Sequence, residues 1–140
     1  MISQLTVFLQ NEKGNLSRLV RQIADNGTNM HAMFLSDTQD FGIARIFCDE
    51  PDAVAAMLNE SGFRASVTQV NAVYVPNKPG GLASLLEFCD RADLNIEYGY
   101  CFKAGDEEAI DVFKINGENI DSALEDAGFR IARPEEIYAL

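Results

Sequence analysis

A repeat with a constant spacing constrains this chain more than any other feature of its 140 residues. Adding 66 to a residue number carries Asn11 onto Asn77 and the triplet Gly62-Phe63-Arg64 onto Gly128-Phe129-Arg130, and no insertion is needed to keep the halves aligned. The other identical pairs are Gly14 and Gly80, Leu16 and Leu82, Leu19 and Leu85, Asn29 and Asn95, Phe47 and Phe113, and Leu58 and Leu124. Because the unit is longer than the roughly 20–50 residues of solenoid repeats, we predict two small domains, residues 1–70 and 71–140.

The hydrophobic pattern predicts the same order of elements in each half. Leu5, Val7 and Leu9 alternate as in a strand with one buried face, and Asn15 is predicted to cap the helix that follows. In the first half the predicted elements are a strand at 5–9, a helix from 15 to Asn26-Gly27, strands at 29–35 and 41–48 joined by a loop at 36–40, a helix from Pro51 to before Gly62, and a strand at 64–70. In the second half they are a strand at 72–76, a helix at 81–92, strands at 95–103 and 107–115, a helix at 117–127, a strand at 129–133 and a helical turn at 135–140.

This βαββαβ order, found twice, predicts an α+β protein of two ferredoxin-like domains, each with an antiparallel sheet and both helices on one face. Right-handed crossovers give the strand order 4-1-3-2, so the second and fourth strands of each domain lie at the sheet edges. Neither glycine nor proline occurs from Ser66 to Val75. We therefore expect an almost continuous extended connection between the halves.

Two strand-to-helix loops are the candidate functional features. They are Asn11-Glu12-Lys13-Gly14-Asn15-Leu16 and its duplicate Asn77-Lys78-Pro79-Gly80-Gly81-Leu82. The first turn of the following helix presents free N–H groups at the positive end of its dipole, and glycine lets a ligand approach the backbone closely. The asparagine that opens each loop offers a donor and an acceptor. N–H groups for a carboxylate and an amide for an ammonium indicate a free amino acid as the ligand.

Composition argues against several other classes of function. Eleven basic and 22 acidic residues give a formal net charge of −11, which disfavours nucleic acid and an anionic membrane surface as partners. No apolar run reaches the length of a membrane span, and the N-terminus lacks the charged region of a signal peptide, so a cytoplasmic location is expected. Cys48, Cys89 and Cys101 have no metal-binding spacing and are expected to be reduced, slowly reacting thiols in the core or at an interface.

The sequence carries no catalytic constellation, phosphate-binding loop or dinucleotide-binding motif, so neither enzymatic activity nor a cofactor is expected. His31, the only histidine, aligns with Glu97, but this pair alone does not make a metal site, and His31 is interpreted as a polar strand residue near the ligand. Arg45 aligns with Asp111, and these opposite charges are expected either to pair or to face water.

The loops, the repeat and the order of elements together resemble tandem ACT domains, small regulatory modules that sense amino acids. The resemblance covers essentially the whole chain twice and is also carried by Gly27-Thr28-Asn29-Met30 and Asp93-Leu94-Asn95-Ile96. It implies a non-catalytic, allosteric regulatory protein that binds a free amino acid at the interface of two ACT-like domains. The implied ligand-binding residues are Asn11, Gly14, Asn15, Leu16, Asn29, Met30, Asn77, Lys78, Gly80, Gly81, Leu82, Asn95 and Ile96.

Edge-strand geometry favours the same arrangement, because pairing the second strand of one domain with that of the other covers both edges. Asn29 is then expected near the loop at 77–82, and Asn95 near the loop at 11–16.

Departures from the family pattern bear on the ligand. In serine-sensing members a histidine precedes the loop asparagine by two residues, but here Leu9 and Val75 stand there, so an apolar or aromatic amino acid is favoured over serine. Lys13 replaces the usual proline, so the first site is expected to be weaker or empty. A homodimer or a regulated protein partner is expected. The alternative is a structural oligomerisation or protein-interaction module without a small-molecule ligand.

Overall fold

The computed structural model describes residues 1–38 and 40–138, and these divide into two compact units. The first unit consists of Ser3–Thr68 together with Tyr138. The second unit consists of Gln69–Ile137 together with Met1–Ile2. Each unit therefore holds one copy of the repeat and a short piece from the other end of the chain.

The first unit is a sheet covered by two helices. Its elements are β1 (Ile2–Gln10), α1 (Asn15–Asp25), β2 (Met30–Asp37), β3 (Phe41–Cys48), α2 (Pro51–Glu60) and the first half of β4 (Arg64–Pro76). The strand order is β2-β3-β1-β4, and β3 pairs antiparallel with both β1 and β2. Alternate strand residues pack against the apolar stripes of the helices. The buried core includes Leu5, Val7, Leu19, Ile46, Val54 and Leu58.

The second unit repeats this plan. Its elements are the second half of β4, α3 (Gly81–Arg91), β5 (Asn95–Ala104), β6 (Glu108–Asn116), α4 (Ile120–Asp126) and α5 (Pro134–Tyr138). The strand order is β4-β6-β5, with antiparallel pairing throughout. Its core includes Val73, Val75, Leu85, Cys89, Phe113, Ile115 and Leu124. The prediction of an α+β protein with two ferredoxin-like units is confirmed.

A single strand, β4, covers the predicted connection without a break. It runs from Arg64 to Pro76, so the extended segment predicted from Ser66 to Val75 is confirmed. β4 is the fourth strand of the first unit and the first strand of the second unit.

The last strand predicted for the second unit is wrong. Instead of a strand at 129–133, the structure has one bridge between Val73 and Ile131, flanked by two backbone hydrogen bonds of 2.9 Å. Pro134 begins α5 and ends the ladder, because proline has no N–H to donate.

Several helix and loop bounds differ from prediction. α4 begins at Ile120 and not at 117, because Asn119 before it has a left-handed φ of 55°. In the predicted loop at 36–40, β2 extends to Asp37 and Gln39 lies outside the described residues. The predicted turn at 135–140 is the helix α5, and its last two positions, Ala139 and Leu140, also lie outside the described residues.

β6 is displaced by one residue from the register that the repeat predicts. Met30 pairs with Cys48 in the first unit, but its duplicate Ile96 pairs with Ile115 and not with Lys114, the duplicate of Cys48. An uninterrupted repeat is therefore wrong for this strand. Because β6 carries apolar side chains on both faces, either register presents an apolar set to the helices, and the repeat alone does not determine which is used.

The displacement changes which residues correspond between the units. Arg45 lies opposite Phe34, and the duplicate of Phe34, Tyr100, lies opposite Val112. Arg45 and Asp111 are therefore not at equivalent positions, and the expectation that they either pair or face water stays a prediction. Burial raises the pKa of the Asp111 carboxyl above its usual range.

The outer strands of the two units are β2 and β5. Among the described residues, β2 pairs only with β3, and β5 pairs only with β6. The predicted edge-to-edge pairing of these two strands with each other is therefore not formed. Within the described part of the chain, no helix has the length and apolar character needed to cross a membrane.

The three cysteines differ in exposure. Cys48 and Cys89 are buried free thiols, whereas Cys101 is an exposed free thiol. Cys101 therefore does not lie in a core, and its alternative place at an interface stays a prediction. Burial, helped by the nearby Asp49, raises the pKa of Cys48 to about 11. Although Cys101 is exposed as a residue, partial desolvation of its thiol and the charge of Asp111 raise its pKa as well.

We expect the native protein to react with one equivalent of a thiol reagent, and the Cys101→Ser variant to react with none on the same timescale. Since the thiolate is the reactive form and the pKa of Cys101 is raised, its labelling rate should still increase above a pH of about 8.5. Time-resolved mass spectrometry of the labelled protein measures both. Rapid labelling of Cys48 or Cys89 in the folded protein would contradict this expectation.

Candidate functional site

The loop at 77–82 is held in place by its asparagine. The side-chain amide of Asn77 donates to the carbonyl oxygen of Gly105 at 2.7 Å, and its backbone N–H donates to the carbonyl oxygen of Glu107 at 2.9 Å. Both acceptors lie at the turn between β5 and β6. Asn77 therefore fixes the loop to this hairpin, a role that differs from the predicted contact with ligand.

Two consecutive glycines shape the start of α3. Gly80 caps the helix with a left-handed φ of 88°, a conformation that glycine adopts without steric cost. A Cβ atom at Gly81 would lie 2.1 Å from the carbonyl oxygen of Pro76, so this position accepts no side chain. The close approach brings the first turn of α3 against the end of β4.

A cleft of about 490 Å³ opens beside this turn, and we call it the α3 cleft. This volume lies within the roughly 300–1,000 Å³ of small-molecule sites. The α3 cleft is lined by Tyr74, Pro76, Lys78, Pro79, Gly80, Gly81, Ser84, Glu108, Gly128 and Phe129. Three of the predicted ligand residues, Lys78, Gly80 and Gly81, thus line one cleft.

The α3 cleft offers both signs of charge. Lys78 supplies a cation, and the carboxylate of Glu108 forms an ion pair with Arg130 through one oxygen. The Arg130 guanidinium also stacks over the Tyr74 ring, with its Cζ 3.5 Å from the ring centroid. Burial and a hydrogen bond to Glu136 raise the pKa of the Tyr74 hydroxyl, which keeps it a neutral donor.

The first loop has a different internal geometry. The helix cap is Gly14, with a left-handed φ of 94°, so the prediction that Asn15 is the cap is wrong. Asn15 is the first helical residue, and its side-chain amide donates to the carbonyl oxygen of Gln10 at 2.9 Å. Where the second loop needs glycine, the first loop accommodates a side chain that bonds to the strand end.

Next to this loop lies a cavity of only about 70 Å³. It is lined by Asn11, Asn15 and Leu16 from the loop and by the end of β2, including Ser36 and Asp37. This volume is far below the roughly 300–1,000 Å³ of small-molecule sites, so this cavity by itself is too small for an amino acid.

The predicted residues at the starts of β2 and β5 lie elsewhere in their units. Met30 packs against the core of the first unit, and Ile96 packs against that of the second. Asn29 is exposed and precedes β2, and Asn95 is exposed opposite Asn116. Of the second-loop residues, Leu82 is 44% exposed on the outer side of α3.

The repeated Gly-Phe-Arg triplet marks a cleft in which Asn15 is the one predicted ligand residue among those lining it. In the first unit this cleft has a volume of about 470 Å³, and we call it the α1 cleft. It is lined by Phe8, Leu9, Gln10, Asn15, Arg18, Phe41, Gly62, Phe63 and Arg64. Gly128 and Phe129 line the α3 cleft at equivalent positions. The identity of the triplet in both halves was the available signal in the sequence.

His31 contacts two side chains of the first unit. Its Nε2 lies 3.0 Å from Oδ1 of Asp49, and its ring centroid lies 6.0 Å from that of Tyr138. Over residues 1–38 and 40–138, no three His, Cys, Asp or Glu side chains are grouped in a way that could hold a metal ion.

Comparisons with known proteins identify the family. A model described as an ACT domain pair matches residues 1–126. The solved structure of protein BT0572 from Bacteroides thetaiotaomicron is similar to this chain, with a TM-score of 0.87 and 30% identity over 99% of this chain and 96% of that one. Two regulatory subunits of aspartate kinase have the same fold, each with a TM-score of 0.64. The one from Thermus thermophilus is 16% identical over 89% of both chains, and the one from Thermus flavus is 17% identical over 88% of both chains. No curated protein matches the sequence. The chain belongs to the ACT domain pair family.

Proposed function

We propose that this ACT domain pair is a non-catalytic regulatory protein that binds a free amino acid, and that the α3 cleft is a site for it. The observation that carries the proposal is the placement of opposite charges beside a helix start in one cleft, because a free amino acid carries both charges. The resemblance in fold to regulatory subunits of aspartate kinase supports a regulatory role.

Each charged end of an amino acid has a partner in the α3 cleft. The ammonium of Lys78 and the positive end of the α3 dipole suit the carboxylate. Arg130 uses one oxygen of Glu108, and no hydrogen bond from a described residue occupies the other, which suits the ligand ammonium. The rings of Tyr74 and Phe129 favour an apolar or aromatic side chain over that of serine.

The first loop is proposed as the weaker site. Its cavity of about 70 Å³ is much smaller than the α3 cleft of about 490 Å³. Asn11 lines this cavity, whereas the side-chain amide of Asn15 is engaged with the carbonyl oxygen of Gln10.

Thermal unfolding in the presence of each of the twenty amino acids tests the proposal. We expect an apolar or aromatic one to stabilise the protein, by about 2.7 kcal/mol at a concentration 100 times its Kd. Glu108→Gln should weaken its binding about tenfold, because a neutral amide pairs less well with an ammonium. The matched control is Glu107→Gln, since Glu107 is adjacent but does not line the cleft.

A second candidate function, oligomerisation without a ligand, is favoured by the exposed apolar side chains of β2. Met33, Phe34 and Leu35 are 42%, 39% and 44% exposed on an outer strand, where a strand from another copy could pair. If no amino acid stabilises the protein and sedimentation gives a dimer, this second function replaces the first.

A further inference from the structure

We propose that the α1 cleft is a separate ligand site, for a carboxylic acid that has an aromatic ring and lacks an ammonium group. The inference does not rest on the proposed binding of an amino acid in the α3 cleft. It rests on the side chains that line the two clefts at equivalent positions and on their different partners.

Two arginines give the α1 cleft its charge. The Cζ of Arg18 lies 4.3 Å from the centroid of the Phe63 ring, and the Cζ of Arg64 lies 5.3 Å from that of the Phe8 ring. Neither arginine forms an ion pair with a described residue, and no acidic side chain lines the cleft. The whole protein has a net charge of −11, whereas this cleft, with two uncompensated cations, is locally positive.

The stacking leaves the binding groups of these arginines available. A guanidinium that packs its flat face on a ring still presents its N–H groups in the plane. Those N–H groups match the two oxygens of a carboxylate in a bidentate pair. Stacking also limits the motion of the side chain, so less conformational freedom is lost when the anion binds.

Aromatic rings form much of the remaining wall. Phe8 is 38% exposed and Phe41 is 51% exposed, although both are large apolar side chains. They lie with Phe63 around a space large enough for an aromatic ring and a short acidic arm. A ring that packs there removes apolar surface from water on both partners.

The α3 cleft contains a carboxylate, whereas the α1 cleft contains none among its lining residues. Ser84 takes the position of Arg18, and Arg130, the duplicate of Arg64, is paired with Glu108. Glu108 provides an acceptor for an ammonium in the α3 cleft, whereas the lining of the α1 cleft contains no carboxylate. An ammonium in the α1 cleft would lie beside two guanidinium groups without a counter-charge, so the cleft disfavours free amino acids.

The test uses 3-phenylpropanoate and L-phenylalanine, which differ by the α-ammonium, with inorganic phosphate and the neutral alcohol 3-phenylpropan-1-ol as further probes. Two-dimensional amide NMR of the whole chain reports each cleft separately, through Gly62 in the α1 cleft and its duplicate Gly128 in the α3 cleft. We expect 3-phenylpropanoate to shift the Gly62 signal and to bind there about tenfold more tightly than L-phenylalanine. Phosphate and the alcohol should each bind more weakly than 3-phenylpropanoate.

Variants assign the effect to the arginines. Arg64→Gln and Arg18→Gln should each weaken 3-phenylpropanoate about tenfold or more at Gly62, and the spectrum itself shows that each variant is folded. Arg130→Gln is the matched control and should leave this affinity unchanged. The proposal is overturned if Gly62 does not respond, if the arginine variants bind as the parent does, or if phosphate or L-phenylalanine binds Gly62 equally well. Loss of the Gly128 response to amino acids bears only on the α3 cleft.

Discussion

Replacing Gly81 with alanine is expected to lower the free energy of unfolding by about 3 kcal/mol, the upper part of the range for an overpacked site. The added Cβ would lie 2.1 Å from the carbonyl oxygen of Pro76 and 3.1 Å from its carbon. These are backbone atoms at the end of β4, so no rotation of a side chain relieves the clash. Either the strand end or the first turn of α3 has to move.

The neighbouring Gly80 provides the control. Its φ of 88° disfavours alanine, but a Cβ there has no atom within 4 Å, so Gly80→Ala costs only the left-handed backbone strain of about 1–2 kcal/mol. Urea denaturation of both variants measures the difference. Equal losses of stability would show that α3 and β4 separate easily, which would contradict the close approach.

The same pair of variants affects ligand binding differently. Gly81 lies where α3 and the end of β4 meet in the lining of the α3 cleft, so a displacement caused by alanine changes the shape of the cleft. Gly80→Ala should retain more of the ligand-induced stabilisation than Gly81→Ala.

Much of the fold follows from local patterns in the sequence. The alternation of Leu5, Val7 and Leu9 and the glycines at the loop turns define elements whose order admits few topologies. The absence of glycine and proline from Ser66 to Val75 was enough to predict the unbroken strand β4. These signals depend on neighbouring residues and on the order of elements, both of which can be read directly from the sequence.

The register of β6 depends on tertiary packing instead. Ile110 and Val112 lie on one face of the strand, and Phe113 and Ile115 on the other, so alternation fits both registers. Which face of β6 lies against the helices is decided only by tertiary packing, and Phe113 and Ile115 are the residues that contact the second core.

The sequence identified the loop that lines the α3 cleft, but not the other side chains around the cleft. The loop at 77–82 does line a cleft, but the amide of Asn77 is taken by Gly105, whose position relative to the loop follows from the folded hairpin. The contribution of Glu108 and of the Gly-Phe-Arg segments arises in the same way, because distant segments meet at the end of β1 in one unit and at the end of β4 in the other only after folding.

A polar pair in the second core is expected to show strong coupling. Asn71 is only 2% exposed, and its side-chain amide donates to Oδ1 of Asp121 at 2.7 Å. The repeat places Leu5 and Ala55 at these two positions in the first unit, where both belong to the apolar core. One structural position is therefore filled by an apolar pair in one unit and by a hydrogen-bonded pair in the other.

Asp121→Ala alone should lower the free energy of unfolding by about 3 kcal/mol, because the buried amide of Asn71 loses a charged acceptor. Asp121 also contacts the amino group of Met1, whose side chain is 45% exposed, and such an exposed pair adds at most about 1 kcal/mol. Asn71→Leu alone leaves the carboxylate, which is 17% exposed, without its amide donor and should cost about 1–3 kcal/mol.

The double variant Asn71→Leu with Asp121→Ala recreates the pair that the first unit uses and removes both unsatisfied groups. Its loss of stability should be smaller than that of Asp121→Ala alone, because replacing both partners by apolar groups is often nearly neutral. Urea denaturation of the parent, the two single variants and the double variant gives the coupling energy, expected at about 2 kcal/mol. If the losses of the single variants simply add in the double variant, the two side chains do not stabilise the core as a pair, and leucine at position 71 does not fit the second unit as Leu5 fits the first.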